Sequence, residues 1–258
     1  MSGTSVHLQK QPQYYKNKKP QFHHLIRERG VTEDCDTNIR NIFIHLYMEV
    51  EKIVKTISKE RFSSYQKRYP NDLRKSFLLY QSNIEISQSF YSNLSILEVS
   101  LRNTINQSCI KHFNTEDWLK EKLPKELKKQ ISEIENKLIK SGKEPTNDRI
   151  IAELNFGFWT ILFNRSNAKI FWKPLLKAFP YLPKKMRKRT NVSAKLNRLR
   201  TFRNRIYHYD PIVWDVKELI SRRKEINEIL NWIEPETAKW AEDIDTFNEV
   251  RLKIKKNV

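Results

Sequence analysis

Glycine is scarce in this chain, with 4 in 258 residues, and a turn-dense sheet is hard to build from so few. Cysteine is scarcer. Cys35 and Cys109 stand far apart without metal-ligand spacing, which argues against a disulfide framework and fits two reduced thiols in a cytoplasmic protein. No run approaches the roughly 20 apolar residues that span a bilayer, so no membrane partner is expected. The N-terminus lacks the apolar core of a signal peptide. Absent too are H-E-x-x-H, C-x-x-C, D-x-D, G-x-S-x-G and P-loop patterns, so neither a metal nor a cofactor is expected.

The most informative absence is local. Between Leu154 and Tyr209 there is no Asp or Glu, while Lys and Arg number 14. That window supplies most of the formal net charge of +19. Solvated helix faces mix signs, so a one-sign block of this length points to a polyanionic partner. No strongly amphipathic membrane-surface helix accompanies it, which favours nucleic acid over acidic lipid.

What is present is helical periodicity. Apolar residues recur at helical spacing over Asp36–Ile57, and from Asn71 to about His112 with a break near Ser82-Asn83. Further helices are expected over Trp118–Gly142, Arg149–Phe163 (behind the N-cap residues Thr146-Asn147-Asp148), Val216–Trp232 and Pro235–Val250. Gly157, between two phenylalanines, reads as a close-packing residue. Residues 1–30 are polar and aperiodic, so a flexible arm is expected there, followed by one helical domain over 31–258. His23, His24 and His45 read as solvated or boundary residues. The fold class is all-α, with no β-sheet of consequence.

The stretch L-N-R-L-R-T-F-R-N-R-I-Y-H-Y-D-P-I, residues 196–212, organises this reading. Leu196, Leu199, Phe202 and Ile206 form an apolar stripe, with Arg198, Arg200, Arg203 and Arg205 between them. Pro211 biases Asp210 away from helix, so the helix should end at His208–Asp210. An Arg followed five residues later by a His occurs often by chance, and on spacing alone a basic helix end with a dipole-stabilised histidine is the better account. RNA cleavage offers the sharper alternative. The 2′-hydroxyl is a built-in nucleophile, so the protein need supply only a base, an acid and a cation for the developing charge. His208 suits the first two and Arg203 the third, with Asn204 orienting either. Five residues rotate by roughly 140° on a helix, so Arg203 and His208 share a face only if the helix end turns the histidine back. One histidine per chain cannot be both base and acid, so this mechanism implies a homodimer with two motifs in one cleft.

The same stretch resembles the R-N-x-x-x-H signature of the HEPN superfamily of helical ribonucleases, and more narrowly the Abi-like (abortive infection, AbiD/AbiF type) bacterial proteins. F-Y-S-N-L-S-I-L-E-V-S-L-R-N is similar to that family's L-E-V-x-L-R-N helix, and I-A-E-L-N-F-G-F-W to its A-E-L-x-F-G-F-W segment. W-K-P-L-L-K-A-F-P resembles its W-x-P-x-L-x-x-A-F-P, and all four segments occur in order across roughly residues 60–250.

The resemblance implies a HEPN-like helical bundle with additional helices, and Arg203 and His208 as catalytic residues with Asn204 in support. It implies a polar network of Glu98, Arg102 and Asn103 beside them, dimers, and metal-independent RNA cleavage in anti-phage defence. It also implies restraint by a non-coding RNA or protein antitoxin. Tyr207 stands where a small residue is usual, Tyr209 where a second His is common, and Asp210 where Glu is common. The RNA-binding set expected from the basic window is Lys184, Lys185, Arg187, Lys188, Arg189, Lys195, Arg198, Arg200 and Arg205, with Tyr207 and Tyr209 available either to stack on bases or to pack against the dimer partner. Two rival readings stand beside the nuclease: a non-catalytic module that binds RNA, and a helical dimeric scaffold.

Overall fold

A computed structural model describes residues 49–257. The arm expected over residues 1–30, most of the helix expected from Asp36, and Cys35, His23, His24 and His45 lie outside that range. Every regular element among the described residues is a helix, and no strand occurs among them. None of these helices is long and apolar enough to cross a membrane.

After a helical segment at residues 49–57, the elements are α1 (Lys59–Arg68), α2 (Leu73–Ser89), α3 (Tyr91–Phe113), α4 (Trp118–Glu121), α5 (Lys125–Lys140) and α6 (Asn147–Glu153). They continue with α7 (Phe156–Ile161), α8 (Ala168–Lys177), α9 (Arg189–Tyr207), α10 (Val216–Ile233), α11 (Pro235–Asp243) and α12 (Phe247–Asn257). The division between two compact units falls at Tyr80 and Gln81, within the range 31–258 that the sequence presents as one domain.

The first unit holds α1 and the start of α2. Ser58 caps α1 by accepting from the Arg61 N–H, and Phe62, Tyr65 and Tyr80 form an aromatic cluster with Tyr65 and Tyr80 edge to face at 5.2 Å.

The second unit is built around α3. Its Leu94, Leu97, Leu101, Ile105 and Cys109 recur at three- and four-residue steps and are all buried, so one stripe faces the core along the helix. Helices α7, α8, α10 and α11 all pack against α3, and α9 packs against α7 and α10. At the end of α3 nearest the candidate site, Phe90 meets Phe202 of α9 at 4.9 Å and Phe247 of α12 at 5.1 Å. Burial pushes the Cys109 thiol up to about 12, which leaves it an inert core residue.

Three helix boundaries differ from the periodicity reading, each for a local reason. The long helix after Asn71 breaks at Phe90 and not at Ser82-Asn83, because Asn83 turns inward from an unbroken helix to bind a distant loop. Pro124 divides the expected Trp118–Gly142 helix, since proline has no N–H to continue α4 and instead stands at the N-cap of α5. Asn155 divides Arg149–Phe163: its side chain accepts from the Phe158 N–H and starts α7 afresh. A Cβ on Gly157 would come within 2.9 Å of that capping oxygen, so the glycine protects the cap as well as allowing close packing.

Candidate active site

The end of α9 is fixed from three directions. Its own backbone closes in a Schellman motif: the Tyr209 N–H donates to the Ile206 carbonyl at 3.0 Å and the Asp210 N–H to the Arg205 carbonyl at 2.8 Å. This geometry places Tyr209 in the left-handed region, φ 60°, a position that usually belongs to glycine. His208 is the C-cap residue, with its N–H donating to the Asn204 carbonyl at 2.8 Å. Both His208 and Asn204 are exposed.

Beyond the cap, Asn83 holds the following loop. The residue is 3% exposed; Oδ1 accepts from the Ile212 N–H at 2.7 Å and the Val213 N–H at 3.1 Å, while Nδ2 donates to the Asp210 carbonyl at 3.2 Å. Arg205 completes the brace, donating from Nη2 to the Pro211 carbonyl at 3.0 Å and from Nη1 to Glu218 at 3.1 Å. The imidazole therefore stands on a helix end whose backbone is over-determined. Pro211 alone does not do this.

Arg203 lies on the same helix in a different setting. It is half-buried, with Nη2 3.4 Å from Glu98 Oε2 of α3 and its guanidinium carbon 4.0 Å from the centre of the Tyr207 ring. The Arg203 Nε is inaccessible and has no hydrogen-bond partner among the described residues. Burial pushes the Tyr207 phenol above the usual tyrosine range; the Arg203 charge opposes this, and Tyr91 and Glu98 add to it.

The polar network expected on α3 takes a particular form. Glu98 reaches across to Arg203, Arg102 donates to the Ala152 carbonyl at 3.4 Å, and Asn103 is exposed. Arg200 is half-buried beside Gly157.

The basic window is not one surface. Lys195 lies 2.7 Å from Glu228 and over the Trp232 ring at 5.8 Å. Arg198 donates twice to Glu225 Oε1, at 2.9 and 2.6 Å, and Arg222 lies 2.8 Å from the other oxygen of that buried carboxylate. Helix α10 thus supplies carboxylates to Lys195, Arg198 and Arg205, and those charges serve the packing of α9 on α10. Arg189 donates to the Phe163 carbonyl at 2.7 Å and Arg187 to the Leu182 carbonyl at 3.1 Å. Lys184, Lys185, Arg187 and Lys188 are exposed, on and after a short 3₁₀ turn, as are Arg165, Lys169, Lys173 and Lys177 before it and Arg198 after it. Tyr209 is exposed as well.

Two residues of this site have no place in the motif. The only trace of Asn83 in sequence is a polar interruption of an apolar pattern, which reads as a helix break. Tyr91 carries no signal at all; it opens α3 and meets Tyr207 at 6.4 Å between ring centres.

Searches of protein-family profiles, of curated proteins and of solved structures return no match to this chain.

Proposed function

We propose that this protein is a metal-independent endoribonuclease of an abortive-infection or toxin–antitoxin system, acting in the cytoplasm as a homodimer. The observation that carries the reading is the support beneath His208: an exposed imidazole on a helix end held by a left-handed tyrosine, a buried asparagine and a forked arginine. Backbone strain of this kind is a mark of functional positions. The four family-like segments in the sequence point the same way.

In the proposed reaction the ribose 2′-oxygen attacks phosphorus and the P–O5′ bond breaks, leaving a 2′,3′-cyclic phosphate and a 5′-hydroxyl. One His208 takes the 2′-hydroxyl proton and the second copy's His208 gives a proton to the departing 5′-oxygen. The Arg203 Nε–H is inaccessible and Nη2 donates to Glu98, so the remaining Nη donors serve the equatorial phosphate oxygens. Glu98 and Tyr207 hold the guanidinium in place. Lys184, Lys185, Arg187 and Lys188 track the flanking phosphates, and a non-coding RNA or protein antitoxin restrains the enzyme.

Purified protein is expected to cut RNA in EDTA, to leave DNA intact, and to give cyclic-phosphate ends on end-mapping. His208→Ala should retain its unfolding midpoint and lose cleavage by about 10²–10⁴-fold. Wild-type cleavage rates in that variant would remove the catalytic assignment. The pairing of Arg203 with Glu98 favours one second reading, a module that binds RNA without turning it over. That module would show steep salt dependence of binding and no cleavage in any variant.

A further inference from the structure

The geometry points to a nucleobase-stacking platform made by Tyr91 and Tyr207, on which an unpaired base of a single-stranded RNA rests beside His208. This inference rests on the RNA reading above and adds to it the form of the substrate.

The two tyrosines come from helices far apart in the sequence. Tyr91 is the first residue of α3 and Tyr207 the last of α9. Their ring centres are 6.4 Å apart with the planes tilted by 38°, and both residues are exposed, at 61% and 40%. The Arg203 guanidinium lies over the Tyr207 ring at 4.0 Å, so Tyr207 neighbours both a guanidinium and the Tyr91 ring. Large aromatic area left in water beside a stacked cation is the arrangement single-stranded nucleic-acid sites use. Every base has a π-face, and an adjacent arginine adds cation–π attraction.

Position strengthens the case. Tyr207 closes α9 and His208 is its C-cap residue, so the platform and the imidazole belong to the same helix end. The platform also excludes duplex: paired bases are stacked on one another and offer no free face.

The homodimer proposed above brings a second copy to this helix end, and the border of the platform argues that the two rings lie outside the centre of that contact. Ser95, one turn along α3, and Asn204, one turn back along α9, are both exposed and polar. A dimer contact needs about 800 Å² on each side with an apolar centre, whereas two tyrosines bordered by polar side chains give a patch suited to one planar ring.

The test uses the full chain and an uncleavable probe, a 2′-O-methyl single-stranded 12-mer, with Kd from fluorescence anisotropy. Tyr91→Ala should weaken binding by about tenfold or more, and Tyr91→Phe should bind like wild type. A probe of the same length with abasic sites should bind wild type and the Tyr91→Ala variant equally. Circular dichroism checks that the exposed substitution leaves the fold unchanged. Equal affinity of Tyr91→Ala and wild type for the base-bearing probe would overturn the platform while leaving RNA binding intact. A loss that persists with the abasic probe, together with a shift to monomer in sedimentation, would assign the two rings to a subunit contact. If wild type binds no probe at all, the RNA reading fails and the platform with it.

Discussion

Helices α5 and α9 end in the same hydrogen-bond pattern with different residues at its tightest position. At the end of α5 the Lys143 N–H reaches the Leu138 carbonyl, the Gly142 N–H reaches the Ile139 carbonyl, and Gly142 takes the left-handed conformation at φ 72°. At the end of α9 the same two bonds form and Tyr209 takes that conformation at φ 60°. Glycine adopts it freely; a side chain raises its cost by roughly 1–2 kcal/mol. The α5 end needs no outside help. The α9 end has Asn83 and Arg205 binding the backbone just beyond it. A chain that places its strain, its buried asparagine and its forked arginine around one exposed histidine has invested its stability where position matters. The plain helix end carries no such group.

Three substitutions test that contrast. The largest effect is expected from Asn83→Ala, which leaves the Ile212 and Val213 N–H groups and the Asp210 carbonyl without their partner. Urea denaturation should show a loss of about 3 kcal/mol, and cleavage should fall further than the unfolded fraction explains. A loss below about 1 kcal/mol would mean that the loop is held by other means.

Gly142→Ala comes next. Nothing lies within 4 Å of the added Cβ, so the cost is backbone strain alone, about 1–2 kcal/mol, and cleavage should not change. The smallest effect, and the opposite sign, belongs to Tyr209→Gly. Relief of the left-handed strain, offset by the looser unfolded chain that glycine brings, should stabilise the protein by about 0.5 kcal/mol. If the strain serves function, the same variant should cleave more slowly, read as a drop in single-turnover rate at unchanged protein concentration. A stabilised variant with full activity would show that Tyr209 is an accident of composition.

The contrast also explains how far residue order carried. The pattern of α9 was legible, from its apolar stripe to its end near His208, because helical periodicity and a following proline are local signals. The end of α5 was legible in the same way from Gly142. Helix breaks at Pro124 and Asn155 were local too, but the stronger apolar and charge periodicity around them masked them. Asn83 reads as a break because a buried amide and a helix breaker look alike until the loop it binds is known. The one-sign charge block is compensated in part from outside itself. Its acids are absent from the window yet present one helix later, where Glu218, Glu225 and Glu228 neutralise Arg205, Arg198 and Lys195.

Sequence alone determined that this chain is all-α, which helix faces are apolar, and that an arginine and a histidine mark the end of one basic helix, since each of these follows from spacing within a few turns. Tertiary structure decided which charges remain exposed to solvent, that Glu98 faces Arg203, and that Tyr91 stands beside Tyr207. Those outcomes depend on how α3, α9 and α10 pack, and side chains brought together across such distances in the chain leave no periodic trace along it.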